Sequence, residues 1–155
     1  MHHQRRGHAM TWIIILAVIT LAGLGAWTLR GASASSSAWL NDIDEGAVTA
    51  REQNRPLLVL FTADWCPPCQ AFKREVFSDA EVAGYLERTF VLVKIDLTNR
   101  KGPNNHVAIE YEVEGIPTLI AYDSWGAHLE DYRGPRTKGD FLQWARKIRA
   151  TAAAG

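Results

Sequence analysis

Cys66 and Cys69 are the only cysteines of the chain, and they sit in the run Asp64-Trp65-Cys66-Pro67-Pro68-Cys69-Gln70. Two thiols at that spacing can cycle between dithiol and disulfide, supply half of a metal site, or form an inert staple. A staple is a poor use of them, because closing so small a loop removes little entropy from the unfolded chain. A zinc site needs two further ligands, and beyond the N-terminal segment there are only His106 and His128, with no spacing pattern between them; both read as surface residues. Thiolates also suit copper(I), yet Met1 and Met10, the only methionines, are remote in sequence. Redox exchange is therefore the favoured chemistry, a metal carrier the alternative from another class, and no metal or cofactor is expected beyond the cysteine pair itself.

Exchange requires one sulfur to ionise more readily than the other. Pro67 and Pro68 fit the first turn of a helix, where a missing N–H has no intrahelical partner to lose. A helix is expected to start just after Cys66 and run to about Phe77. The free amides and positive dipole end would then favour the Cys66 thiolate, making Cys66 the attacking sulfur. Cys69, one turn further in, would be sheltered and would resolve the mixed disulfide. Pro67 and Pro68 carry no charge and stiffen the loop. A histidine there would stabilise the thiolate further and make the pair more oxidising, so a reducing or intermediate potential is expected.

The surrounding sequence supplies elements to position this pair. Apolar residues recur at helical spacing from Trp39 to Gln53, and Asn54-Arg55-Pro56 ends that helix. Leu57 to Phe61 is a continuous apolar run, as in a strand covered on both faces. Ser78-Asp79-Ala80-Glu81 has capping-box spacing and opens a short helix through Leu86. A strand from Phe90 to Ile95 ends at Asp96, and a short helix carries Val107 to Tyr111. Leu119 to Tyr122 and Leu129 to Tyr132 are strands joined by a turn, and Thr137 caps a last helix. Trp39, Trp125 and Trp144 are read as packing residues. The order predicts an α/β domain with a mixed central sheet and helices on both faces.

The 155 residues hold one such domain, and 47% apolar against 22% charged residues exclude a disordered chain. Basic and acidic residues balance at 17 each, but Arg5, Arg6 and Arg30 lie in the N-terminal part, leaving 14 against 17 beyond Arg30. A mildly acidic body cannot neutralise phosphates, so no nucleic-acid partner is expected. Trp12 to Leu29 carries no charge over 18 residues, near the lower end of the ~17–25 needed to span a bilayer. Arg5 and Arg6 before it favour an N-terminus left in the cytoplasm. The sequence thus divides into a cytoplasmic N-terminus (1–11), a transmembrane anchor or signal segment (12–29), a flexible tether (30–37) and a folded domain (38–151) placed in the periplasm or outside. The competing expectation is a cleaved signal peptide, with Ala32-Ser33-Ala34 as a small-x-small site.

Thr62 to Phe77, preceded by Pro56 to Phe61 and followed by Gly115-Ile116-Pro117-Thr118, resembles the thioredoxin superfamily over about residues 40–150. It is most similar to the group containing the C-terminal periplasmic domain of the transmembrane reductase DsbD, where an Ala-Asp-Trp-Cys-x-x-Cys segment also leads to Phe-Ser-Asp, here Phe77-Ser78-Asp79. The resemblance implies a thioredoxin fold with Cys66 the exposed nucleophile and Cys69 the buried resolving thiol. It implies a cis-proline at Pro117, substrate pairing through the Ile116 backbone, and Trp65 in an apolar rim. It further implies disulfide-containing exported proteins as substrates, cytochrome precursors among them, and a membrane electron donor of the DsbD type. An oxidase or isomerase of the same fold is the alternative. One position departs: many thioredoxins carry a buried aspartate beneath the resolving cysteine, and Leu60 stands there. Asp64 is the nearest substitute and Glu75 a weaker one.

Overall fold

Leu57–Thr62 forms β2, the middle strand of a five-stranded sheet. The computed structural model describes residues 39–134 and 136–154; the segments 1–11, 12–29 and 30–37 lie outside them. Among the described residues no helix is long and apolar enough to cross a membrane. The unbroken apolar run of β2 is explained by its position. It pairs in parallel with β3 (Val91–Asp96) on one side and antiparallel with β4 (Thr118–Tyr122) on the other, so both its edges and both its faces are covered. β1 (Trp39–Leu40) adds to the outside of β3 in parallel, and β5 (His128–Asp131) adds to β4 antiparallel, giving the order β1-β3-β2-β4-β5.

Alternation along the strands sends side chains to two cores. Leu58, Leu60, Leu92, Leu119 and Ala121 pack against α3 (Ala80–Thr89) and α5 (Lys138–Ala152) through Val82, Leu86, Phe141 and Ile148. On the other face, Leu57, Val59, Phe61, Val93 and Ile95 meet α1 (Ile43–Gln53) and α4 (Asn104–Glu110) through Ile43, Ala50 and Ala108. The cysteine-bearing helix α2 (Pro67–Phe72) continues as a π-helical stretch, Lys73–Phe77, and contributes to both: Cys69 joins the second cluster, Phe72 and Val76 the first.

Several details differ from the sequence expectation. Trp39 and Leu40 are a strand rather than the first turn of α1, which begins at Ile43 because the Asp42 carboxylate accepts the Glu45 N–H at 2.8 Å. The cap of α3 is Asp79, not Ser78: its Oδ1 accepts the N–H groups of Glu81 and Val82, while the Ser78 hydroxyl donates back to the Lys73 carbonyl at 2.8 Å. Trp125 is not a packing residue; it stands 71% exposed at the β4–β5 turn, with the Arg51 guanidinium 5.1 Å from its ring centroid. That turn is held by the Asp123 carboxylate, which accepts the Trp125 and Ala127 N–H groups at 2.8 Å each.

The packing of α1 on the sheet depends on a missing side chain. A Cβ at Gly46 would lie 2.4 Å from Val93 Cγ2 and 3.1 Å from Leu57 Cδ1. Alanine there would gain about 1 kcal/mol of helix propensity, while forcing a methyl into a filled core costs roughly 1–3 kcal/mol. Val93 is fully buried and branched at Cβ, so it yields little. Gly46→Ala is therefore expected to destabilise by about 1 kcal/mol net, read as a lower urea midpoint at unchanged slope.

Candidate redox site

The end of β2 turns at Ala63-Asp64-Trp65 and hands the chain to α2. Cys66 is the N-cap of that helix, and Pro67 and Pro68 fill its first two positions, where neither is asked for an N–H. The two cysteines form a disulfide, with S–S 2.12 Å and Cα–Cα 5.3 Å. Cys66 Sγ accepts the Cys69 N–H at 3.2 Å, so a free amide of the helix start is aimed at the first sulfur. The Cys66 carbonyl accepts the Gln70 N–H at 3.1 Å, closing the first turn.

Cys66 is not exposed as the resemblance implied: both cysteines are 3% accessible. The cover over Cys66 is the loop before β4. The Ile116–Pro117 peptide bond is cis, and the Ile116 carbonyl oxygen lies 3.6 Å from Cys66 Sγ. Ile116 and Pro117 are themselves half-buried. They open onto a groove of about 860 Å³ that carries Glu110, Glu112 and Glu114 in its walls, with Tyr132 and Arg133 also lining it.

Trp65 is 46% exposed beside the disulfide, which makes it rim rather than core. Its position is fixed from below and above. The indole Nε1–H donates to the Thr98 carbonyl at 3.1 Å, and the Arg100 guanidinium stacks 4.2 Å from the ring centroid. Thr98 holds the neighbouring residue as well, its hydroxyl accepting the Asp64 N–H at 2.9 Å. Thr98 is anchored in turn by Asp96, whose carboxylate accepts the Thr98 N–H at 2.8 Å. The hydroxyl of Thr98 donates to that same carboxylate and, as the largest influence, holds the Asp96 carboxyl below the usual aspartate range.

None of this clasp was read from the sequence. Asp96-Leu97-Thr98 has the spacing of a turn in which a carboxylate bonds the backbone two residues on, so the turn itself was there to be found. That it reaches across to Asp64 and Trp65 is a tertiary fact with no local signal.

Thr98→Val would remove the hydroxyl that serves both Asp96 and Asp64, at an expected cost of about 1–2 kcal/mol. Part of that cost depends on pH. A carboxyl held low in the folded state contributes stability above the ordinary aspartate range and loses it as pH falls through its folded value. Urea midpoints of wild type and variant should thus differ most at neutral pH and converge on the acid side.

Behind Cys69 lies a cavity of about 240 Å³, lined by Cys69 together with Leu60, Asp64, Lys73, Lys94 and Asp96. Leu60 is 6% exposed and sits in the core, so no carboxylate lies at that depth in β2. Asp64 reaches the cavity from an exposed position, and Glu75 is exposed and does not line it. Among the described residues no group of three His, Cys, Asp or Glu could hold a metal ion; His128 is occupied with Asp131 at 2.9 Å.

A disulfide at the start of a helix, beneath a cis-proline loop and on a β1-β3-β2-β4-β5 mixed sheet, defines a thioredoxin fold. Residues 38–124 match the family model described as thioredoxin-like. The chain belongs to the thioredoxin-like family. It is 33% identical over 91 residues to a protein disulfide-isomerase of Triticum aestivum, covering 59% of this chain and 17% of that one. It is 30% identical over 131 residues to the thiol:disulfide interchange protein DsbD of Salmonella choleraesuis, covering 79% of this chain and 23% of that one. Among solved structures, the DsbD C-terminal domain of Neisseria meningitidis in its reduced form superposes with TM-score 0.57 at 25% identity, covering 68% of this chain and 93% of that domain. The chain thus spans less than a quarter of the length of the curated relatives it matches.

Proposed function

We propose that the protein is a thiol:disulfide oxidoreductase that acts mainly as a reductase of disulfides in exported proteins. The observation that carries this reading is the Cys66–Cys69 disulfide at the start of α2, with an amide on Cys66 Sγ and the Ile116–Pro117 loop over it. In the reductive direction the Cys66 thiolate attacks a substrate disulfide, forming a mixed disulfide and releasing one substrate thiolate. Cys69 then attacks Cys66 Sγ, closing the pair and releasing the second. Two electrons pass to the substrate, whose thiolates take up protons from solvent. Ile116, Pro117 and Trp65 frame the surface on which a substrate segment would lie.

The reductive direction is supported by the uncharged Pro67-Pro68 pair, which lacks a cation to stabilise the reduced form. Export is supported by the uncharged Trp12–Leu29 stretch behind Arg5 and Arg6. The likeness to DsbD, named as an interchange protein, favours a periplasmic setting and a membrane electron donor of that type. Disulfides persist in such a compartment, so a reductase there depends on electrons brought across the membrane. Retention of the apolar stretch as an anchor would raise the domain's effective concentration near that donor; cleavage near Ala34 would release it.

The wheat relative, named as an isomerase, favours an oxidising or isomerising role as the second reading. The potential of the Cys66–Cys69 pair, measured against glutathione, separates the two. A value between about −200 and −270 mV is expected. One near −120 mV, typical of a strong oxidant, would overturn the reductive direction.

A further inference from the structure

Arg100 is an exposed cation without an anion of its own. Its guanidinium stacks 4.2 Å from the Trp65 ring centroid, and among the described residues neither it nor its exposed neighbour Lys101 takes part in an ion pair. Trp65 directly precedes Cys66 and stands half-exposed at the rim. The stack therefore holds positive charge where a partner's segment must pass to reach the first sulfur. A guanidinium lying over a ring keeps its N–H groups in its own plane, free to donate to a carboxylate.

The other side of the disulfide carries the opposite charge. β2 lies between β3 and β4, so the turn after β3 that bears Arg100 and the cis-proline loop before β4 come from opposite sides of the strand that leads to Cys66. Glu110, Glu112 and Glu114 line the groove onto which Ile116 and Pro117 open. They are exposed, and they too make no ion pair among the described residues. A segment lying across Trp65, Cys66 and the loop thus meets a cation at one end and carboxylates at the other. Screening over about 8 Å at physiological ionic strength confines each influence to the substrate residues nearest it.

We infer that Arg100 is a specificity-determining residue of the exchange site: it pairs with an aspartate or glutamate on one flank of the substrate cysteine. The acidic groove disfavours an acid on the other flank, so the preferred substrate class is a disulfide-bonded segment that is acidic on one side of its cysteine only. This rests on disulfide exchange at Cys66 and Cys69 and holds for either physiological direction. Arg100 takes no part in the exchange of electrons; it acts on the encounter and on the placing of the segment for the first attack.

The test uses the reduced full chain and short peptides whose one cysteine is blocked as a mixed disulfide with thionitrobenzoate. The Cys66 thiolate attacks the peptide sulfur, the peptide–thionitrobenzoate bond breaks, the Cys66–peptide bond forms, and thionitrobenzoate leaves as a coloured thiolate that reports the rate. Three peptides carry glutamate before the cysteine, glutamate after it, or glutamine at both places. Each rate is divided by that of dithiothreitol with the same peptide, which removes differences intrinsic to the peptide. One glutamate peptide is expected to react about two- to fivefold faster than the glutamine peptide, the range of an exposed ion pair, and the other no faster. At about 1 M salt, where screening acts within ~3 Å, the advantage should fade. Arg100→Gln should abolish it and Arg100→Lys should keep it. Arg51→Gln removes a like stack, on Trp125 beyond the end of β4 away from the cis-proline loop, and should also leave it in place. A wild type that favours neither glutamate peptide overturns the inference, as does an advantage that survives in Arg100→Gln. Loss of the advantage in Arg100→Lys to the same extent as in Arg100→Gln overturns it too, since that marks the placing of Trp65 rather than charge. If the wild type releases no thionitrobenzoate from any peptide, the exchange reading itself fails.

Discussion

Cys69→Ala is expected to turn the protein into a trap. With Cys66 intact, the first attack proceeds and leaves a substrate joined to Cys66 by a mixed disulfide. In the wild type the second sulfur is already within bonding distance, the Cα atoms being 5.3 Å apart. Such intramolecular reactions reach effective molarities of about 10⁵–10⁸ M. Without Cys69, forward release depends on external thiols, the one other route being back-attack by the substrate thiolate freed in the first step; against millimolar external thiol or less the adduct should live at least about a thousandfold longer. The measurement is a non-reducing gel of cells or extracts containing the tagged variant, with reductant-sensitive bands of higher mass whose protein partners are then identified. Exported proteins among those partners would support the proposed compartment. Equal trapping by Cys66→Ala would overturn the division of roles between the two sulfurs.

Where the sequence was sufficient, a local rule and the tertiary structure agreed. The run Leu57 to Phe61 is apolar throughout because β2 is flanked on both edges and covered on both faces. Thr137 caps α5 as its position promised, its hydroxyl accepting the Asp140 N–H at 3.2 Å. Two prolines after a cysteine located the start of α2 to the residue.

Where it was insufficient, the deciding partner lay far along the chain. Trp39 and Leu40 continue an apolar pattern that reads as helix, but they lie in parallel register with Leu92 and Val93, and a two-residue strand has no period to detect. Ser78 and Asp79 both suit an N-cap; the choice went to Asp79, which also bonds Lys138 Nζ at 3.0 Å from α5. The clasp of Asp96, Thr98 and Arg100 on Trp65 joins segments more than thirty residues apart. Burial of Cys66 likewise comes from Ile116, fifty residues away. The chemistry of the pair was therefore legible in one short run, and its enclosure was not.

That enclosure sharpens the second expectation, the loss of activity in Cys66→Ala. Because both cysteines are 3% accessible, residue exposure cannot assign the first attack to either. Electrostatics can. Cys66 Sγ accepts a helix amide at 3.2 Å, and it caps the positive end of α2. Those influences favour the thiolate over the thiol. Cys69 sits one turn inside the helix, its own amide already directed to Cys66. Reduction of a model protein disulfide by Cys66→Ala should consequently fall by about a thousandfold or more, to the background of free thiols, as happens when other nucleophiles are deleted. Limiting iodoacetamide on the reduced wild type should label Cys66 first, with a rate that rises with pH and levels off below the range of an ordinary cysteine. Retention of a substantial fraction of activity in Cys66→Ala, or prior labelling of Cys69, would mean that the amide at the helix start does not select the nucleophile, and the roles assigned to the two sulfurs would have to be exchanged.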